Sequence, residues 1–113
     1  MHAPWMAAQF SMVDRWDADG ALRLTLRGEL DLTVADQLEN RLEQLRAAGT
    51  GVRLDLSELS FIDSSGIRVV IRARIEASRE GWALDVDPHV SESVRRPLEL
   101  LGLGDVLWSK TRD

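Results

Sequence analysis

The sequence contains no cysteine and no long apolar run. The missing cysteine excludes a disulfide-stapled scaffold and any metal site built on thiolates. No apolar stretch approaches the roughly 20 residues that a membrane-spanning helix needs. The first nine residues, MHAPWMAAQ, lack the charged head and long apolar core of a secretory signal peptide. We therefore expect a cytoplasmic protein that has no membrane partner.

Positive charge and histidine are also scarce. The net charge is −5 and the isoelectric point is near 5.0, so we expect neither nucleic acid nor an anionic membrane as the main partner. The two histidines, His2 and His89, form no metal-binding pair. The sequence also lacks the G-x-S-x-G motif of serine hydrolases and the G-x-x-x-x-G-K-[ST] phosphate loop. We expect no catalytic activity, no metal and no cofactor.

The chain has the composition of one folded domain. Its 113 residues are 44% hydrophobic and 29% charged, an ordinary balance for a globular protein. This length supports one hydrophobic core and leaves no room for a second domain. We expect a flexible tail over residues 1–9 and a single domain over residues 10–113.

Apolar and polar residues alternate with the two-residue period of a strand in four segments. These segments are residues 10–16, 22–27, 52–56 and 82–86. An Asp-Ala-Asp-Gly turn at residues 17–20 joins the first two into a hairpin. A loop over residues 57–62 should follow the third strand, and the apolar residues 106–108 are a candidate fifth strand.

Apolar residues at helical spacing predict three helices. For the first we expect Thr33 as N-cap, with Asp36 in the capping-box position and Gly49 at the end. The second begins around residues 63–65. The third spans residues 91–101, where Pro97 should kink the helix or move its start later.

These patterns predict an α/β fold, because helices that connect strands favour parallel pairing while the opening hairpin is antiparallel. We expect a small mixed β-sheet of four to five strands with helices packed on one side. The core should contain Leu24, Leu26, Leu38, Leu42, Leu54, Leu56, Ile67, Ile71 and Ile75.

The segment FIDSSG places two adjacent serines at the predicted start of the second helix. Asp63, Ser64 and Ser65 are all suitable N-caps, so the pattern leaves the capping residue open. No general base is marked for a nucleophilic serine. A third interpretation is phosphorylation by a kinase, because a helix N-terminus tolerates the charge of about −1.5 to −2 that a phosphate adds.

Three longer segments occur together: GELDLTVA (residues 28–35), LDLSELSFIDSSGI (54–67) and VRRPLELLGLGDVL (94–107). In their order and spacing they resemble the STAS family (sulfate transporter and anti-sigma factor antagonist), and within it the small bacterial anti-sigma factor antagonists. The resemblance covers about residues 10–108. It implies a regulator that binds an anti-sigma factor of kinase fold and thereby frees a sigma factor.

The resemblance also implies a phosphorylation switch. The serine directly after the loop aspartate, Ser64, would accept phosphate from the anti-sigma factor, and a serine phosphatase would remove it. Arg68 is an expected partner contact because it lies one helical turn from Ser64. The full set of expected partner-binding residues is Asp31, Asp63, Ser65, Gly66 and Arg68.

Two alternatives remain open. The chain could be a non-switching STAS module, serving as a scaffold subunit or as a transporter accessory protein. It could instead bind a nucleotide or a small acidic ligand at the N-terminus of the second helix, where the helix dipole favours negative charge.

Overall fold

Strands and helices alternate after an opening hairpin in the described part of the chain, residues 9–108 of a computed structural model. The predicted tail lies outside the described residues, apart from Gln9. In chain order the elements are β1 (Ser11–Trp16), β2 (Leu22–Leu30), α1 (Ala35–Ala47), β3 (Val52–Ile62), α2 (Ser64–Glu80), β4 (Leu84–Val86), α3 (Glu92–Leu100) and α4 (Gly104–Trp108).

The strands form one sheet in the order β1-β2-β3-β4. The β1–β2 hairpin is antiparallel, whereas β2–β3 and β3–β4 pair in parallel across a connecting helix. The predicted mixed α/β sheet is confirmed, with four strands. The suggested fifth strand is wrong, because residues 106–108 belong to α4. Helical spacing there places Leu107 one turn after Leu103 and buries it in the core.

Strand β3 is longer than the alternating pattern indicates. The predicted loop over residues 57–62 is wrong, since β3 continues to Ile62. Register shifts against β2, between Thr25 and Arg27 and between Gly28 and Glu29, interrupt the period of two. Gly28 has a φ of +93°, and a Cβ on it would lie 1.9 Å from the Gln9 carbonyl oxygen. Only glycine fits this irregular stretch.

One core joins the inward faces of β2, β3 and β4 with those of all four helices, α1 to α4. All of the predicted core residues belong to it or pack against it except Ile75, which is 41% exposed. That prediction is wrong because the buried face of α2 runs through Ile67, Val70 and Ala77. Each helical residue turns about 100°, so Ile75 lies to one side of this face.

Helix α3 contains Pro97 in its interior. The helix begins at Glu92, so the proline does not move its start later, which was one of the two predicted outcomes. Proline has no N–H to donate to the carbonyl of Ser93. Val94 and Leu98 on either side are fully buried in the core. We attribute the persistence of the helix to this packing, which sustains most helices in proteins.

The other face of the sheet carries an ion-pair cluster centred on Arg23. Its Nη1 atom lies 3.2 Å from the Asp55 carboxylate and 3.0 Å from the Asp87 carboxylate. Its Nε atom lies 3.6 Å from the Asp17 carboxylate. The cluster ties β2, β3 and the end of β4 together across the open face of the sheet.

The two aspartates on the β3 and β4 side of the cluster have lowered pKa values. The pKa of Asp87 falls chiefly because the His89 backbone N–H donates to the carboxylate, and Arg23 adds to this effect against the opposing effect of burial. For Asp55, burial alone would raise the pKa, but hydrogen bonds from Ser57 and Arg23 outweigh it. Both carboxylates are therefore stabilised in the charged form.

We expect the free energy of unfolding to decrease as the pH falls below about 4, near the unfolded pKa of aspartate. A group whose folded pKa is lowered stabilises the fold above the unfolded pKa, and this is lost as the pH falls through the folded pKa. Arg23→Met should therefore cost less stability at pH 3 than at pH 7 in urea melts.

The matched control is Arg27→Met, which breaks an exposed pair with Glu58. It should cost little at either pH. An equal loss for Arg23→Met at both pH values would contradict the role of the cluster.

Candidate functional site

Two acidic loops meet at one edge of the sheet. Leu30 and Ile62 are partners at the ends of the parallel strands β2 and β3, and an aspartate follows each of them. The Asp63 backbone N–H continues the pairing by donating to the Leu30 carbonyl at 3.1 Å. The strand register thus brings the GELD and DSSG segments together, although they are some thirty residues apart in sequence.

The Asp63 side chain connects these two loops. One carboxylate oxygen, Oδ1, accepts hydrogen bonds from the backbone N–H groups of Ser65 at 2.9 Å and Gly66 at 3.1 Å. The other, Oδ2, accepts the Leu32 N–H at 3.1 Å. Of the three possible caps, Asp63 is therefore the N-cap of α2. It also fixes the β2–α1 loop relative to the start of α2.

Asp31 organises its own loop. Its Oδ1 accepts the Thr33 N–H at 2.9 Å and the Thr33 hydroxyl at 2.6 Å, forming an Asx-turn. Its carbonyl accepts the N–H groups of Val34 and Ala35. The prediction of Thr33 as N-cap is wrong: α1 begins at Ala35 after Val34, because the Thr33 hydroxyl is engaged by Asp31. A contact between Asp31 and a partner stays a prediction.

The two serines differ in exposure. Ser64 is the first residue of α2 and is exposed, whereas Ser65 is half-buried and its N–H is bonded to Asp63. Arg68, one turn further along α2, is also exposed. A kinase can reach an exposed hydroxyl more easily than a half-buried one. Phosphorylation of Ser64 and contact of Ser65 or Arg68 with a partner stay predictions.

Gly66 is buried against the end of β2. A Cβ on Gly66 would lie 2.5 Å from Leu30 Cγ and 2.9 Å from the Leu30 carbonyl oxygen. The missing side chain lets the start of α2 approach the strand end closely. Gly66 therefore helps to place Ser64 and Ser65 by letting the first turn of α2 pack directly against Leu30. Any direct contact of Gly66 with a partner stays a prediction.

We expect Gly66→Ala to lower the free energy of unfolding by about 1–3 kcal/mol, as overpacking does. The Leu30 side chain is fully buried, and of the three contacts under 3.0 Å two are to that side chain and one is to the backbone, so none can move away easily. Urea melts measure the loss.

The control is Gly51→Ala, where a Cβ would meet Ala83 Cβ at an ordinary 3.7 Å. This variant should be close to wild type. A Gly66→Ala protein as stable as Gly51→Ala would show that the close approach at Leu30 carries no constraint.

Sequence reasoning missed two exposed apolar side chains at this edge. Leu32, between the Asx-turn residues, is 73% exposed, and Phe61, near the end of β3, is 46% exposed. The signal for Phe61 was its position beside Ile62, since neighbouring strand residues face opposite sides. Leu32 lies in a loop, where no periodicity indicates its direction.

An open hollow of about 490 Å³ lies beside the Asp31 loop. Among the described residues, its lining includes Glu29 and Asp31 and contains no lysine or arginine, which disfavours an anionic ligand. Over residues 9–108, no cluster of acidic or histidine side chains is suited to hold a metal ion. Within the same range, no helix combines the length and apolar character needed to cross a bilayer.

Comparisons with known proteins agree with this architecture. The family described as "Mlab, STAS domain" matches residues 14–108. An anti-sigma-B factor antagonist of Bacillus subtilis is 26% identical over 95 residues, covering 84% of this chain and 86% of that protein. An anti-sigma-B factor antagonist of Listeria monocytogenes is 31% identical over 84 residues, covering 74% of this chain and 73% of that protein.

The fold is also similar to that of a solved structure. The crystal structure of an anti-sigma factor antagonist from Mycobacterium paratuberculosis superposes with a TM-score of 0.72 at 25% identity. The match covers 96% of this chain and 88% of that chain. From the fold, the paired GELD and DSSG loops and these matches, we conclude that the chain belongs to the STAS domain family.

Proposed function

We propose that this chain is an anti-sigma factor antagonist that binds a kinase-fold anti-sigma factor, frees a sigma factor, and is switched off by phosphorylation at Ser64. The role is supported by the relatives, which are named as antagonists of this kind. The observation that carries the switch is the position of Ser64, exposed on the first turn of a helix whose start is fixed by Asp63. The chain acts as a regulator and the partner supplies the catalysis.

In the proposed reaction, the partner transfers the γ-phosphoryl group of ATP to the Ser64 hydroxyl oxygen. The bond between phosphorus and the ADP oxygen breaks, a bond to Ser64 Oγ forms, and the hydroxyl proton passes to a base on the partner. This chain contributes a hydroxyl in a fixed position. A serine phosphatase would hydrolyse the ester and restore the binding form.

The backbone N–H groups at the start of α2 offer little neutralisation to a phosphate on Ser64, and the first basic residue along the helix is the exposed Arg68, one turn away. The N–H groups of Ser65 and Gly66 are bonded to the Asp63 carboxylate, and the Ile67 N–H is bonded to the Asp63 carbonyl. A phosphate on Ser64 would therefore find these donors already occupied and an aspartate beside it. Its charge would face the partner, which weakens binding without unfolding this domain.

Release of the sigma factor tests the proposal. A preformed complex of the kinase-fold anti-sigma factor and its sigma factor, both from the genome that encodes this chain, is mixed with the unphosphorylated chain and resolved by size exclusion. We expect the sigma factor to elute free, and to stay bound when Ser64→Asp replaces wild type. A sigma factor that stays bound in the presence of excess wild-type chain would contradict the proposal.

The same preparation separates the alternatives. A stable complex that forms without phosphate transfer in the presence of ATP would favour a scaffold. A thermal shift of this chain alone on adding ATP would favour a nucleotide-binding domain. The occupied helix N-terminus and the acidic hollow both argue against the nucleotide.

A further inference from the structure

Leu32 is an exposed apolar residue whose loop backbone is fixed by several hydrogen bonds. The residue is 73% exposed, and its backbone N–H donates to Asp63 Oδ2 at 3.1 Å. The residues on either side of it, Asp31 and Thr33, form the Asx-turn. The loop backbone is thus fixed both to itself and to the start of α2.

Leu32 lies within the area of a standard-sized interface centred on Ser64. A specific interface buries about 800 Å² on each protein, a patch of roughly 16 Å radius. The Leu32 amide nitrogen lies 3.1 Å from the side chain of Asp63, the residue directly before Ser64. A partner interface of this size centred on Ser64 therefore also covers Leu32.

Exposure alone does not distinguish Leu32, because single exposed leucines are common on protein surfaces. Leu100, the last residue of α3, is 82% exposed. The difference is that the Asp63 carboxylate accepts both the Leu32 N–H and the N–H groups at the start of α2, where Ser64 lies. Since its backbone is already ordered, burying its side chain costs less conformational entropy than burying one on a mobile loop.

We propose that Leu32 is an apolar anchor that becomes buried against the anti-sigma partner, and that Asp63 fixes its position relative to Ser64. This inference rests on the proposed function. It extends that function by assigning part of the binding energy to an apolar contact that phosphorylation leaves chemically unchanged.

The first test compares Leu32→Ala with Leu100→Ala for binding to the kinase-fold anti-sigma factor that phosphorylates the wild-type chain. We expect Leu32→Ala to raise Kd by about tenfold or more, as a buried anchor does. In phosphotransfer assays it should raise KM and leave kcat unchanged, because the contact is made equally before and during the reaction. Leu100→Ala should match wild type in both assays.

The second test concerns Asp63. Asp63→Asn keeps one carbonyl oxygen as acceptor but replaces the other with an NH₂ group, so it cannot accept both the α2 and the Leu32 N–H groups. Because two α2 N–H groups compete with one Leu32 N–H group for the remaining carbonyl oxygen, that oxygen should face α2, and hydrogen exchange at the Leu32 amide should become faster. Leu32→Ala should also weaken binding less in the Asp63→Asn background than in wild type, since coupled residues are not additive.

Three results would overturn the anchor: Leu32→Ala binding as tightly as wild type, Leu100→Ala weakening binding equally, or fully additive effects of Leu32→Ala and Asp63→Asn. A wild-type chain that no kinase-fold anti-sigma factor binds would instead contradict the proposed function. The two failures are therefore distinguishable.

Discussion

Ser64→Ala is expected to carry no phosphate after incubation with the kinase-fold anti-sigma factor and ATP, while still binding that partner. Ser64 is exposed and lies on the first turn of α2, so removing its hydroxyl deletes the acceptor without disturbing the Asp63 cap. Intact mass followed by peptide mapping measures the result. Wild type should gain one phosphate.

The matched variants separate the adjacent hydroxyls. Ser65→Ala should still be phosphorylated, because Ser65 is half-buried and contributes its backbone N–H to the cap. Ser64→Asp should bind the partner more weakly and keep a native circular dichroism spectrum, since aspartate suits the first turn of a helix. Phosphate mapped to Ser65, or Ser64→Ala labelled as fast as wild type, would mean that Ser64 is not the acceptor.

Leu54→Ala should lower the free energy of unfolding by about 2–5 kcal/mol. Leu54 is fully buried in β3, the strand that pairs with both β2 and β4, where it lies opposite Leu24 and Val86. Truncating it leaves a cavity in the centre of the core. Because a domain of this kind is stable by only about 5–15 kcal/mol, the loss is a large share of the total.

Urea melts measure this loss, with Leu100→Ala as the control at an exposed leucine. The control should change stability by less than about 0.5 kcal/mol. If Leu54→Ala also costs less than about 1 kcal/mol, the inner face of β3 does not form the core as described.

The sequence predicts the fold well where periodicity is regular. Alternation at Leu22, Leu24 and Leu26 correctly predicts a strand with one buried face, and the four-residue spacing of Leu38 and Leu42 correctly predicts α1. These patterns report burial directly, because side chains repeat on one face every two residues in a strand and every three to four in a helix.

Prediction from the pattern fails where tertiary contacts override the local period. Register shifts between β2 and β3 interrupt the alternation, so the second half of β3 reads as a loop. Thr33 is a good N-cap in isolation, but the Asp31 carboxylate accepts its hydroxyl. The prediction of a fifth strand over residues 106–108 is wrong because three apolar residues are too few to distinguish a strand from a helical turn.

The candidate site was only partly predictable. The resemblance identifies the serine loop and its acidic neighbours, and the strand register brings Asp31 and Asp63 to the same edge. The bond from the Leu32 N–H to Asp63 joins residues far apart in sequence, and no local pattern reports such a contact. The close contact between Gly66 and Leu30 cannot be predicted from the sequence either, because it depends on how α2 packs against the end of β2.

The affinity of the anti-sigma factor for this chain before and after phosphorylation tests the central claim most directly. A phosphate of charge near −2 facing one partner carboxylate at about 6 Å is repelled by roughly 1–3 kcal/mol at effective dielectric constants of about 40–80. Isothermal titration calorimetry should therefore find Kd about ten- to hundredfold higher for the chain phosphorylated at Ser64. Equal Kd values for the two forms would contradict the phosphorylation switch.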